Sequence, residues 1–554
     1  MSATIAIGEF QKVRDGNKYY VDKSLLIKDI LTMDDMGAYL FVRPRRFGKS
    51  MNLSMMDAFF NIRYEGNHWF GGLAISDHHE FDGYRNAFPV IRLDFGGVSV
   101  YSWDSFIEGM NESVWGAYTF YDDISEEDVP QKYRDLYPKV IDMDCNEAVL
   151  GVSLRMLATI LRGKYGRRAI VLIDEYDHPI TDAIGTDLYD RIFSFMKNFY
   201  TTLIKGCGDV QMSYVTGTTK IIHQSFFSGL NNMSVDDTFS TTFDERYSFT
   251  ESEVRSMLGY YGVPDKFDEV REWYDGYRFG DADVYNPFSM MSYVERGFRP
   301  SKYWVNTTKN SILKWVLERI DVNRVVEMSQ LFAGGSVDVK LVGTPVIDKG
   351  SPKSWYLFYT LVEMGYLKMV PVGDSIHRLS VPNKEVMAQI EEEVTMETGL
   401  THEVVDSLVN ALVSMDDVTM EDSMDIILND HSFFNMTDER YYAAVLVMAM
   451  RSLTGRYNIF SEFENGNGRV DIFLLPKTEG TEPIIIEIKR VDDEDRMEDA
   501  MGRAFDQIDK RRYYQGISGD VTMVGMVFCG KVSMVRSHRA HIGRCDEVGP
   551  SEGP

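Results

Sequence analysis

Cysteine is scarce and scattered in this chain of 554 residues. The four present, Cys145, Cys207, Cys529 and Cys545, lie far apart and form no C-x-x-C pair. That spacing suggests neither a zinc site nor a disulfide framework. No apolar run approaches the ~18 residues that a membrane span needs. The first residues, MSATIAIGEF, lack the charged and apolar regions of a signal peptide. A cytoplasmic protein with no membrane partner is expected. Positive charge is also in deficit: 58 Lys and Arg stand against 85 Asp and Glu, a net −27. Such a chain repels polyanions at long range, so a nucleic-acid partner would need a local basic groove. Basic clusters do occur, at Arg43 to Arg46, Arg162 to Arg168, Lys510 to Arg512 and Arg536 to Arg544. Clusters of this kind are mostly solvated surface. There is no internal repeat and no low-complexity segment.

A glycine is missing where one matters. The stretch FVRPRRFGKSMNLSM (41–55) ends as a phosphate-binding loop ends, in Gly48-Lys49-Ser50. The pattern G-x-x-x-x-G-K-S/T wants glycine where this chain has Arg43. The context is nevertheless right. AYLFV (38–42) reads as a short buried strand, and Leu53, Met56 and Phe60 follow at helical spacing. In such a loop, backbone N–H groups and a helix N-terminus face the phosphates. Lys49 neutralises charge, Ser50 helps to hold Mg²⁺, and Gly48 permits close backbone approach. A second apolar strand, Ala169 to Ile173, ends in Asp174-Glu175. Asp174 is placed to hold Mg²⁺ through water and Glu175 to polarise an attacking water. Thr216, Thr218 and Thr219 end the next strand, where a polar residue can sense the γ-phosphate.

With 44% hydrophobic and 13% aromatic residues the chain can fill full-sized cores. Strands alternating with helices predict a parallel α/β sheet over residues 1–245. Around Thr250 a capping box, Thr250 to Glu253, opens a region of helices and short strands, 246–395, read as a lid and connector. A third unit, 396–545, follows, with a tail at 546–554. Its order is a helix, three strands joined by tight turns, an amphipathic helix with Met497, Met501, Ala504 and Ile508 on one face, and the strand VTMVGMVFC.

FVRPRRFGKSMNLSM, IVLIDEYDHPI, SYVTGTTKI, FFSGLNNMS, WYDGYRFG…VYNP and VPNKEV together resemble the AAA-ATPase-like family. Its members usually carry a nuclease-like domain at the C-terminus. In that family the loop typically reads R-P-R-R-F-G-K-S/T, so Arg43 belongs to the pattern. The resemblance implies an ATP-binding role for Gly48, Lys49 and Ser50, with Arg45, Arg46 and Phe47 in the same loop. It implies a Walker B role for Asp174 and Glu175.

The third unit carries its own constellation. Asp471 sits in the middle strand of the meander, and Glu487 and Lys489 in the third, IIIEIKR. Residues two apart on a strand share a face, so Glu487 and Lys489 project together and an acid on the adjacent strand can meet them. Asp471 and Glu487, with the Ile488 carbonyl, can hold Mg²⁺ through oxygen ligands. Lys489 can orient or deprotonate a water. This resembles the PD-(D/E)XK nuclease superfamily, with Val470 in place of the proline. By that resemblance Glu439 could reach the metal, Gln507 and Tyr513 could contact the site or DNA, and Glu462 competes with Glu439 as the extra acid.

The leading reading is an ATPase, with ATP and Mg²⁺ as cofactors, coupled to a nuclease acting on DNA rather than RNA. A nucleotide-switched binding module, or a nuclease with a regulatory N-terminal unit, are the alternatives. AAA-type sites are usually completed by a neighbour's arginine, which implies a homo-oligomer. The sequence does not single out that arginine; Arg45, Arg46 and Arg246 are the candidates. The three loop arginines are expected to pair with phosphates or with acids such as Glu175 or Asp177.

Overall fold

The computed structural model describes residues 8–33, 37–205, 207–220, 233–304, 322–332, 334–340, 354–398, 401–430, 439–478 and 480–542. Most of FFSGLNNMS and the tail 546–554 lie outside these described residues, as does the side chain of Glu462.

The N-terminal part is an α/β layer built from β1 (Ala38–Val42), α1 (Lys49–Phe60), β2 (Val90–Asp94), α2 (Trp103–Thr119), α3 (Glu147–Tyr165), β3 (Ala169–Asp174), α4 (Tyr189–Tyr200), β4 (Val210–Gly217) and β5 (Met233–Asp236). The five strands run in the order β2-β3-β4-β1-β5, every pairing parallel. Period-2 alternation explains why both faces are buried. In β1, Tyr39 and Phe41 enter one core and Leu40 and Val42 the other; in β3, Ile170 and Leu172 oppose Val171 and Ile173. Because the strands are parallel, the loop after β1, the Asp174-Glu175 end of β3 and the threonines after β4 meet at one edge.

The middle part holds β6 (Phe249–Thr250), α5 (Glu251–Tyr260), β7 (Tyr277–Phe279), β8 (Ala282–Tyr285), α6 (Pro287–Glu295), β9 (Ser336–Lys340), α7 (Ser354–Glu363), β10 (Lys368–Gly373), β11 (Ile376–Ser380) and α8 (Lys384–Thr398). The strands form two small antiparallel sheets, β6-β8-β7 and β10-β11-β9. The Thr250 capping box is present at the start of α5.

In the C-terminal part, α9 (His402–Ser414), α10 (Asp417–Asp430) and α11 (Glu439–Ala449) precede β12 (Tyr457–Asn465), β13 (Gly468–Pro476), β14 (Ile484–Arg490), α12 (Met497–Arg511), β15 (Gly519–Cys529) and β16 (Val532–Ile542). The sheet is mixed, in the order β12-β13-β14-β15-β16, with only β14 and β15 parallel. Met497, Met501, Ala504 and Ile508 of α12 are buried, as their spacing predicts. Strand β16 was not expected. Its Arg536, His538, Arg539 and His541 read as a basic surface cluster, and edge strands carry such residues outward, which weakens the apolar alternation.

One apolar core runs from the loop after β1 into the C-terminal sheet. It includes Phe47, Phe279, Tyr366, Leu446, Ile486 and Ile488. At the loop end of this core sits a buried carboxylate. Glu385, at the start of α8, accepts the Tyr303 and Trp304 backbone N–H groups at 2.7 Å each and the Ser289 hydroxyl at 2.7 Å. Burial raises its carboxyl to about 7 against the opposing pull of those hydrogen bonds. A raised acid pKa favours folding while the group is protonated. That contribution is complete below about pH 4.5 and is lost as the pH rises through about 7. The charged form therefore costs the fold about 3 kcal/mol at pH 8. We expect Glu385→Gln to melt higher than wild type at pH 8 and to show little difference at pH 4.5, measured by thermal denaturation of the full chain.

Candidate active sites

Gly48 stands at the N-terminus of α1 with φ 81°, a left-handed conformation that glycine adopts without strain. Arg46 (φ 65°) and Glu175 (φ 50°) adopt positive φ without that freedom, and such strain concentrates at functional sites. Lys49 is buried. Its ammonium donates to the Arg43 and Pro44 carbonyls, 2.9 Å each, and lies 3.5 Å from the Thr218 hydroxyl. Burial lowers its pKa, while Glu175, Asp174 and Asp177 favour its charge.

Asp174 is buried and accepts the Thr216 hydroxyl at 2.5 Å and the Glu175 N–H at 3.1 Å. Thr216 therefore holds Asp174 in place. Asp177 accepts the Thr218 N–H (3.0 Å), the Thr219 N–H (2.6 Å) and the Thr219 hydroxyl (2.7 Å), fixing the turn after β4. The Glu175 carboxylate lies against Gly96, where an added Cβ would stand only 2.7 Å from its Oε2. Burial raises the Glu175 pKa, offset by Lys49. A cavity of about 500 Å³ opens over these groups. Gly48, Lys49, Ser50 and Glu175 line one part, and Tyr19, Tyr20, Val21 and Phe249 another.

The loop arginines take other partners than expected. Arg43 is fully buried, ion-paired with Asp236 and packed over the Tyr247 and Phe279 rings. Neither Glu175 nor Asp177 is its partner, because the Arg43 side chain points into the core beside β5. Arg46 lies 3.9 Å over the Phe288 ring. Arg45 and Arg246 line the cavity, and Arg246 is paired with Asp29 at 2.6 Å.

In the C-terminal sheet, the backbone pairing of β13 with β14 runs from Leu474↔Ile484 to Ile472↔Ile486. Next to it the Asp471 carboxylate takes the Ile488 N–H at 2.7 Å. Glu487 is fully buried on the face opposite Ile486 and Ile488. Lys489 donates to its Oε1 at 2.6 Å, and among the described residues Oε2 finds no hydrogen-bond partner. Glu439 accepts the Arg490 N–H at 3.0 Å, and Gln507 donates to the Tyr513 hydroxyl at 2.9 Å. Burial, then Asp471, raises Glu487 to about 8. Glu487, Asp471 and Glu439 in turn hold Lys489 above its usual value against desolvation.

Comparison with known proteins bears on both sites. Residues 4–227 match the AAA-ATPase-like family, described as "Predicted AAA-ATPase", and residues 437–538 match the PD-(D/E)XK nuclease superfamily. The N-terminal part belongs to the AAA-ATPase-like family and the C-terminal part to the PD-(D/E)XK nuclease superfamily. A relative described as an uncharacterized protein in the vnfD 5′ region of Azotobacter chroococcum mcd 1 is 28% identical over 416 residues, 71% of this chain and 69% of the relative. No helix among the described residues is long and apolar enough to cross a membrane.

Sequence reasoning missed three residues that support the N-terminal site: Asp236, which neutralises Arg43; Gly96, which makes room for Glu175; and Trp304, whose indole donates to the Arg45 carbonyl at 3.2 Å. None lies in a motif around the residue it serves, so no local signal could have found them. In the nuclease-superfamily part, the donor set suits a hard divalent cation. The Asp471 and Glu487 carboxylates are close enough to act on each other, and one buried Glu487 oxygen lacks a donor, although no three His, Cys, Asp or Glu side chains among the described residues are gathered as a ready metal cluster. The Glu487 carboxyl, raised to about 8, favours the metal-free fold in its protonated form, so that contribution is lost as the pH rises through about 8. In EDTA, wild type should therefore lose melting temperature relative to Glu487→Gln between pH 6 and pH 9. Added Mg²⁺ should raise the melting temperature of wild type at pH 9 and leave Glu487→Gln unchanged.

Proposed function

We propose that this protein binds and hydrolyses ATP in its N-terminal domain and that the nucleotide state governs a Mg²⁺-dependent nuclease domain acting on DNA. The domains would span 1–245, 246–395 and 396–545. The observation that carries this reading is the shared core. Phe47 of the phosphate loop and Ile486 and Ile488, which flank Glu487, pack in one continuous cluster. A shift of the loop on ATP binding or hydrolysis therefore moves side chains that lead to the second site. Cores respond to such shifts as packed solids rather than as fluids.

At the nucleotide site, Gly48, Lys49 and the N-terminus of α1 bind the phosphates, and Ser50 and Asp174 would hold Mg²⁺. Glu175 takes the proton of the attacking water. At the second site, Asp471, Glu487 and the Ile488 carbonyl would hold Mg²⁺, which activates water and stabilises charge on a phosphodiester. Lys489 orients the nucleophile, and the buried Tyr513, held by Gln507, lies beside the site. The net charge of −27 favours a second reading, a nucleotide-switched binding module without turnover.

The test is cleavage of single-stranded, duplex and branched DNA, and of RNA, with and without Mg²⁺ and ATP. We expect Mg²⁺-dependent nicking of DNA that falls at least about a hundredfold in Asp471→Ala. Lys49→Ala should abolish its response to ATP. Cleavage that survives both Asp471→Ala and Glu487→Ala would rule out the nuclease assignment.

A further inference from the structure

Five cationic side chains line the cavity over the phosphate loop: Lys23, Arg45, Arg46, Lys49 and Arg246. Four are committed to other groups. Lys23 is bound by Glu253 at 2.6 Å and by the Glu245 carbonyl at 2.8 Å. Arg246 is bound by Asp29, Arg46 lies on the Phe288 ring, and Lys49 is held by the Arg43 and Pro44 carbonyls. Of these five, and among the described residues, the Arg45 guanidinium alone has no ion pair, side-chain hydrogen bond or ring contact.

Its backbone, by contrast, is clamped. The Trp304 indole donates to the Arg45 carbonyl. Pro44 packs against Gly365 so closely that a Cβ there would stand 3.2 Å from the proline ring. Phe47 is wedged edge-on against Tyr277, ring centroids 4.9 Å apart. Arg46 takes a left-handed turn, φ 65°. A free guanidinium on a fixed backbone, in a cavity shared with Lys49 and Glu175, is a preorganised group for stabilising charge.

We propose that Arg45 is a built-in arginine finger: its guanidinium contacts the γ-phosphoryl group of ATP in the same subunit, so each protomer holds a complete hydrolytic site. The proposal rests on the ATPase reading above. In the step it serves, the oxygen of a water forms a bond to the γ-phosphorus and the water's proton passes to Glu175. The bond from that phosphorus to the β,γ-bridging oxygen breaks, its electron pair leaving on ADP, and the proton then returns to the released phosphate. Arg45 binds the oxygens that gain charge as this bond breaks. Lysine offers no bidentate fork for that task. An arginine finger from a neighbouring subunit is then unnecessary.

The test measures ATP turnover and ATP binding by the full chain, wild type, Arg45→Ala and Arg45→Lys, with Lys49→Ala and Glu175→Gln as controls. We expect kcat to fall about a thousandfold in Arg45→Ala, with the dissociation constant for ATP changed only a few-fold. Arg45→Lys should recover little of the rate, and added guanidinium ion should restore part of it in Arg45→Ala, which a purely structural role would not produce. Turnover per protomer should stay constant on dilution. A kcat in Arg45→Ala within tenfold of wild type overturns the proposal, as does turnover per protomer that collapses on dilution. Wild-type turnover no faster than that of Lys49→Ala overturns the ATPase reading itself, and this proposal with it.

Discussion

The N-terminal site depends on where one ammonium group is held. Lys49 is buried, and a buried cation is tolerated only when its protons are taken up. Here the Arg43 and Pro44 carbonyls take them, with carboxylates at Asp174, Glu175 and Asp177 nearby. The consequence is geometric. A lysine that draws its own loop's carbonyls inward fixes the path of the loop. Glycine at the position of Arg43 is then not required, because the chain does not need that freedom there. The Arg43 side chain instead runs into the core and is neutralised by Asp236 on β5, which ties the loop to the edge of the sheet.

The same loop is fixed from outside. Trp304 binds the Arg45 carbonyl, Phe47 enters the middle core, and Glu385 gathers Ser289, Tyr303 and Trp304 behind it. A flexible glycine-rich loop would gain such supports only at an entropic cost. A stiff loop of proline, arginine and phenylalanine is partly ordered before they form. These supports make the loop a mechanical part of the neighbouring region.

The C-terminal site meets the opposite problem. Lys49 is a buried cation with its partners supplied, whereas Glu487 is a buried carboxyl group with one oxygen left short of a partner among the described residues. Lys489 satisfies one oxygen, and the nearby Asp471 makes a second negative charge costly. Perturbed and unmet groups of this kind concentrate at functional sites. Asp471 is held in place by the Ile488 N–H, beside the point where the ladder between β13 and β14 stops.

Much was legible without coordinates. The apolar runs of β1 and β3, the helical spacing after Ser50, the Thr250 capping box and the Glu487-Ile488-Lys489 alternation are local patterns, and local patterns are set by backbone periodicity. They pointed to the parallel N-terminal sheet, to the three-strand meander of the C-terminal part and to the candidate residues of both sites, whereas the parallel pairing of β14 with β15 came only with the structure. Strand β16 escaped because its solvated edge carries charges in place of an apolar repeat. The partners of those residues were not legible either. Asp236 lies 193 positions from Arg43, and Trp304 lies 259 from Arg45. Sequence determines what each residue can donate, accept or bury. Only the tertiary structure decides which donor meets which acceptor, because burial makes an unmet charge costly only once the chain has closed around it.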